Sequence, residues 1–146
     1  MDFPDRLWEW YGQDEFKRIL AVCLAIPALD FLAASAEVQR YSIPSCPACE
    51  TWSEKMLPVN EVLEVAGKAL PMDVRSALEK VWQLSNDLSE AAFHCGNQHM
   101  YIHEEWQPLR DAAAHALDLL GAKELAPHLD ELTLDCRNII LGRKPN

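Results

Sequence analysis

The sequence predicts an all-α fold: a single domain over residues 1–146 in which five to six helices form an antiparallel bundle. Ala, Leu and Glu dominate the chain and favour helices, whereas the strand former Thr occurs only twice. Apolar residues recur at helical spacing in several segments, with glycine and proline mainly between them. Hydrophobic residues make up 49% of the chain, which is enough to fill one core without disulfide bonds.

The first half of the chain is predicted to contain a short helix, a long helix and a loop. The short helix covers residues 4–11. The long helix, 13–41, is apolar on most sides, as expected of a central helix, and Pro27 should kink or split it. Residues 42–49 contain two prolines and should form the main loop, after which the 3.6-residue period returns over 59–70.

The second half contains the clearest helical patterns. A stripe of apolar residues predicts a helix from Met72 to about Cys95, followed by a connection over 96–103. Two more helices are predicted over 106–120, with Gly121 as the C-terminal cap, and over 127–141. Because each helix has one apolar stripe and the connections are short, a bundle is the natural way to bury them.

The formal net charge of −10 is spread evenly along the chain. Residues 1–41, 42–103 and 104–146 carry an excess of −3, −4 and −3 respectively. An even acidic surface disfavours binding to nucleic acid or anionic lipid, and it favours basic protein partners.

One segment, 19–34, is apolar enough to raise the question of a membrane span. It is about 16 residues long and contains Pro27 and Asp30, whereas a span needs about 20 apolar residues. No basic region precedes it, as a signal peptide would require. We therefore expect a buried core helix and a cytoplasmic protein, in which the five cysteines stay reduced.

Chemistry is indicated at one constellation of residues only. The common catalytic and phosphate-binding motifs are missing from the sequence, which makes a non-enzymatic role the more natural expectation. What remains is the motif Cys46-Pro47-Ala48-Cys49, together with the Cys- and His-rich segment 94–103.

The first interpretation of this constellation is a zinc site. Cys46 and Cys49 have the spacing of a structural zinc motif, and Cys95, His99 or His94 could complete a tetrahedral set. If a helix continued through Gly96, then Cys95, His99 and His103 would share one face. Zinc is the one cofactor that the sequence suggests.

The second interpretation is thiol redox chemistry, since a helix N-terminus lowers the pKa of a nearby thiol. The spacing of Cys46 and Cys49 resembles the motif of the all-helical alkylhydroperoxidase-D family. That resemblance implies a His four residues after the second Cys, where this chain has Ser53. A third interpretation assigns these residues no chemistry, because cysteine often packs as a small hydrophobic residue.

Two features suggest protein binding. Trp8 and Trp10 lie two positions apart, so in a helix they cannot share a face and one of them could stay exposed, as interface tryptophans do. The last helix carries an acidic face made of Asp130, Glu131 and Asp135. These five residues are the predicted partner-binding set.

The leading hypothesis is therefore a small bacterial interaction protein, most concretely an immunity protein that neutralises a basic toxin domain. Such a protein covers the active surface of its partner, and its negative charge speeds the encounter. The alternative hypothesis is a zinc-binding or thiol-redox helical protein that uses Cys46 and Cys49.

Overall fold

The computed structural model describes residues 2–43, 45–96 and 98–142, apart from the side chain of Gln98. Part of the predicted domain, residues 1, 44, 97 and 143–146, lies outside the described residues. Throughout the described part of the chain the regular structure is helical, without strands, which confirms the all-α prediction.

The described residues form seven helices, one more than the upper limit of the predicted five to six. In order they are α1 (Phe3–Gly12), α2 (Phe16–Ala33), α3 (Ala36–Ser42), α4 (47–66), α5 (Met72–Asn86), α6 (Trp106–Leu120) and α7 (122–140). Helix α4 contains a π-helical turn, Trp52–Met56, between its α-helical parts, and α7 contains a 3₁₀ turn, Ala126–His128. A further 3₁₀ turn, Gln98–Ile102, stands between α5 and α6.

The extra helix arises because the predicted long helix divides at a place other than Pro27. Helix α2 continues through Pro27, whose side chain is exposed, so water can reach the backbone carbonyl that the proline leaves without a partner. The break comes at Ala34, which is extended (ψ 162°), and the Ser35 hydroxyl then accepts a hydrogen bond from the amide of Val38 to start α3.

Helix α2 lies at the centre of the molecule. It packs against α4, α6 and α7, and α5 packs in turn against α6. The buried apolar side chains form one cluster, in which Trp106 and Tyr101 are the largest that are fully buried. The prediction of a central, apolar helix in this part of the chain is thus confirmed.

Helix α5 ends at Asn86, well before the predicted end at Cys95. The Asn86 side chain donates to the carbonyl of Trp82 (2.7 Å), and the chain then leaves the helix because Ser89 is bound by Glu105. The described residues between α5 and α6, 87–96 and 98–105, therefore form a long connection that is irregular apart from the 3₁₀ turn. We call it the connecting segment.

None of the helices in the described ranges combines the length and apolar character that a membrane crossing requires. Gly121, predicted as the cap of α6, adopts the left-handed conformation expected of that position (φ 66°).

Candidate metal centre

Three cysteine side chains meet at the surface where α4 begins. The Sγ atom of Cys95 lies 3.0 Å from that of Cys46 and 3.2 Å from that of Cys49. All three sulfurs lie within 4.8 Å of one another. Cys49 and Cys95 are exposed and Cys46 is half-buried, so the cluster is open to ions and solutes. We call these three residues the cysteine cluster.

The start of α4 positions two of the sulfurs. Cys46 is the N-cap residue and has an extended backbone (φ −94°, ψ 103°), and Pro47 occupies the first helical position, where it loses no hydrogen bond. Cys49 lies three residues after Cys46, a spacing that brings both side chains to the same side of the helix start. The local sequence is therefore sufficient to pair Cys46 with Cys49.

The third sulfur arrives from the connecting segment, which is held by contacts distant in sequence. The Glu105 carboxylate accepts hydrogen bonds from the Ser89 amide (2.9 Å) and hydroxyl (2.5 Å). The Trp106 indole donates to the carbonyl of Ala92 (2.7 Å) in the core. These bonds fix both ends of the loop that carries Cys95.

A buried pair joins the connecting segment to α4. The hydroxyl groups of Thr51 and Tyr101 lie 2.6 Å apart, and neither side chain is exposed to solvent. The Tyr101 hydroxyl also donates to the carbonyl of Pro47 (3.5 Å). Because Pro47 stands between the two cysteines of the motif, this pair holds the start of α4 and the connecting segment in register.

Arg110 supports the same region from α6. Its guanidinium donates to the Gln39 side chain (3.0 Å) and to the backbone carbonyl of Tyr101. Gln39 is fully buried and donates to the carbonyls of Phe31 (3.0 Å) and Leu32 at the end of α2. The polar network thus satisfies carbonyls that the helix end leaves open.

Protonation differs among the cluster thiols. The pKa of Cys46 is lowered, first by its hydrogen bond with the Cys95 thiol and then by its hydrogen bond with the backbone of Cys49. The pKa of Cys49 is raised to about 12, chiefly by its hydrogen bonds with Cys95 and Cys46. Cys46 therefore loses its proton before Cys49, because hydrogen bonds with its neighbours stabilise the Cys46 thiolate.

The fourth predicted ligand, His99, does not belong to the group of three within the described ranges. Gly96 has a left-handed backbone (φ 83°), so the helical spacing expected for Cys95, His99 and His103 is not formed. His99 instead lies exposed in the turn Gln98–Ile102. His103 accepts a hydrogen bond from the amide of Glu105 at Nδ1 (3.1 Å).

Ser53 occupies the position at which the resemblance to the redox family implies a histidine. The Ser53 hydroxyl donates a hydrogen bond to the carbonyl of Cys49 (3.0 Å), one turn earlier in the same helix. A serine bonded to the backbone does not supply the proton relay of an imidazole. The three sulfurs of the cluster lie close enough to one another to bind a metal ion.

The predicted partner-binding residues are divided between the core and the surface. Trp10 is 2% exposed and packs edge-on against Phe3, with ring centroids 5.7 Å apart, whereas Trp8 is 42% exposed. Trp8, Glu131 and Asp135 line one groove between α1 and α7, and Asp130 does not.

This groove has a volume of about 200 Å³, and its remaining lining residues are Tyr11, His128 and Leu132. We call it the aromatic groove. Sequence reasoning missed Tyr11 and His128, although each lies three positions from a predicted residue and therefore on the same helix face.

Comparisons with known families, curated proteins and solved structures found no match to this chain.

Proposed function

We propose that this chain is a zinc-binding helical protein whose ligands include the thiolates of Cys46, Cys49 and Cys95. The observation that carries the proposal is the meeting of three sulfurs, two from the start of α4 and one from a residue 46 positions beyond Cys49. Thiolate is a preferred ligand of Zn²⁺, and three thiolates with one further ligand make a common zinc site.

The dimensions of the cluster suit this ion. A Zn–S bond of about 2.3 Å implies sulfurs about 3.8 Å apart in a tetrahedral site. The two close S···S distances, 3.0 and 3.2 Å, are shorter than this, and rotation of the exposed Cys49 and Cys95 side chains widens them. The fourth ligand would be water or a histidine of the connecting segment, His94 or His99.

Binding would stabilise the connecting segment most. That segment has little regular structure, and a metal that joins Cys95 to the start of α4 would add a strong link between two elements distant in sequence. The lowered pKa of Cys46 supports the same function, because a ligand thiol must lose its proton before the metal binds.

A cobalt titration tests the proposal. Co²⁺ replaces Zn²⁺ in such sites, and its absorption bands report both thiolate ligation and tetrahedral geometry. We expect about one Zn²⁺ per chain in protein purified under reducing conditions, and one equivalent of Co²⁺ to produce thiolate charge-transfer bands. Cys46→Ser and Cys95→Ser should lose both signals.

Cys23→Ala is the matched control, because Cys23 is a cysteine of the core outside the cluster. It should keep the metal and the cobalt bands. A wild-type chain that neither retains zinc nor forms thiolate bands with Co²⁺ would contradict the proposal, as would a Cys95→Ser variant with an unchanged spectrum. His94→Ala and His99→Ala then identify the fourth ligand, since loss of a nitrogen ligand shifts the visible cobalt bands.

We propose protein binding as a second function, favoured by the convergence of Trp8, Glu131 and Asp135 on the aromatic groove. Exposed tryptophan is enriched in interface hot spots, and among the described residues no cation pairs with the two carboxylates beside Trp8. The concrete hypothesis is an immunity protein for a basic toxin domain, which the net charge of −10 would attract.

Basic domains encoded beside this chain's own gene are the candidates to test. Titration of each purified domain should give a complex whose association rate falls steeply with added salt. If none of these domains binds, the immunity hypothesis fails, and the zinc proposal is unaffected because it depends on different residues.

A further inference from the structure

The aromatic groove has one aromatic wall, provided by α1. Trp8 and Tyr11 lie three positions apart and therefore on one face of the helix, with ring centroids 6.1 Å apart. Both remain partly exposed, at 42% and 37%. Trp8 meets the His128 ring edge-on, at 5.4 Å between centroids and 84° between planes. The ring contact fixes the tryptophan at the mouth of the groove.

The opposite wall is acidic and is provided by α7. His128, Glu131 and Asp135 follow one another at intervals of three and four residues, which places them on one stripe of the helix. Leu132, which is buried, supplies an apolar floor. Within the described ranges no cation forms an ion pair with Glu131 or Asp135.

We infer that the aromatic groove binds the side chain of an arginine from a basic protein partner. This inference rests on the second proposed function and names the chemistry of its contact. A guanidinium group can stack on the face of an indole or phenol ring while its N–H groups donate to carboxylates in fork geometry. The groove places aromatic rings and carboxylates close together, so one guanidinium group could contact both.

The size of the groove agrees with a single side chain. Its volume of about 200 Å³ is below the roughly 300 Å³ at which small-molecule pockets begin. The planar guanidinium fits such a site better than the compact, strongly hydrated ammonium of lysine. A guanidinium group already stacks on a tryptophan of α1 elsewhere in the structure. There the Arg18 guanidinium of α2 lies 5.8 Å from the centre of the Trp10 ring.

A peptide titration tests the inference without the natural partner. The probe is a short Gly/Ser peptide with three arginines, and the reference peptide carries citrulline, which is neutral and has the same shape, at those positions. The signal is the NMR resonance of the Trp8 indole N–H, which reports on the groove itself. We expect the arginine peptide to shift this resonance saturably and the citrulline peptide to leave it unchanged.

Two double variants separate the groove from general charge attraction. Glu131→Gln with Asp135→Asn removes both carboxylates of the groove. Glu61→Gln with Asp118→Asn makes the same two changes at exposed positions on α4 and α6. We expect the groove variant to bind the arginine peptide about tenfold more weakly, and the control to change binding less than twofold, because the net charge of the two variants is equal.

Equal weakening in both variants, equal binding of the two peptides, or a Trp8 resonance that does not move would each overturn the inference. Trp8→Ala removes the indole signal, so its binding is measured by isothermal titration calorimetry. It should weaken arginine-peptide binding in the wild type and weaken it less in the Glu131→Gln, Asp135→Asn background, because the ring and the carboxylates contact the same guanidinium group. Binding of a basic domain that survives the loss of the groove would show that the protein-binding function is correct and that its contact lies elsewhere.

Discussion

The five cysteines of this protein fall into two sets with opposite environments. Cys23 on α2 and Cys136 on α7 are 2% and 0% exposed. Burial raises the pKa of each to about 11, because the core does not solvate a thiolate. The cysteine cluster lies at the surface, and there the pKa of Cys46 is lowered by its neighbours.

The difference shows that surroundings, and not residue type, decide what a cysteine can do. In the core a thiol acts as a small apolar group and fills space. In the cysteine cluster, the Cys95 sulfur lies 3.0 and 3.2 Å from the other two sulfurs, so the thiols form hydrogen bonds with one another and lie close enough to bind a metal. Three expected results test this contrast between the core cysteines and the cysteine cluster.

The largest expected effect is on thiol reactivity. Iodoacetamide should modify Cys46 in metal-free native protein long before Cys23 or Cys136. A thiol with a pKa of about 11 is ionised in only about one molecule in 10⁴ at pH 7, and it must also be exposed by unfolding. Since the pKa of Cys46 is lowered, its modification should begin at a lower pH than that of a free thiol.

Peptide mapping by mass spectrometry after short exposures gives the order of modification. Addition of Zn²⁺ should protect Cys46 and leave the slow core sites unchanged. Modification of Cys136 at the rate of Cys46 in folded protein would break the contrast between the two sets.

A smaller effect is expected on the stability of the metal-free protein. Cys136→Ser places a hydroxyl in the core without a prepared partner and should lower the free energy of unfolding by about 1–3 kcal/mol. Cys95→Ser changes an exposed side chain and should stay within about 0.5 kcal/mol of the wild type. Urea unfolding followed by circular dichroism, with a chelator present, measures both; equal losses would contradict the assignment of Cys95 to the surface.

The smallest effect concerns the link between the cysteine cluster and the core. Tyr101→Phe removes the buried hydrogen bond with Thr51 and should cost about 1 kcal/mol. Tyr41→Phe is the matched control, because that side chain is 74% exposed and should cost nothing measurable. If the link also holds the start of α4, Tyr101→Phe will weaken Co²⁺ binding while Tyr41→Phe will not.

Periodicity in the sequence was sufficient to predict the helices and the central position of the segment that became α2. It was not sufficient to place their ends. Helix α5 stops at Asn86 because Glu105 binds Ser89, a contact across 16 positions that no local pattern reveals. Pro27 was expected to kink or split the long helix, but an exposed proline costs the helix less than a buried one, and the helix divides at Ser35 instead.

The candidate site, like the helices, could be predicted from the sequence only in part. The pairing of Cys46 with Cys49 follows from spacing alone, and Cys95 was named with them from its neighbourhood in sequence. His99 is a predicted ligand that stays outside the group of three, and the left-handed Gly96 interrupts the helix that would have placed Cys95, His99 and His103 on one face. Ile139 and Ile140, near the end of the predicted helix 127–141, are exposed, so the apolar residues of α7 do not all face the core.

The distance along the chain between Cys49 and Cys95 has a consequence for folding. The pair Cys46 and Cys49 is local, so it exists in the unfolded chain and can hold a metal there. Cys95 can join them only when the intervening chain closes into a loop, and closure across 46 positions costs an entropy equivalent to roughly 3–4 kcal/mol. Under the proposed function, an ion held by two sulfurs would mark a chain that has not yet closed this loop, and an ion held by three sulfurs would mark a folded chain.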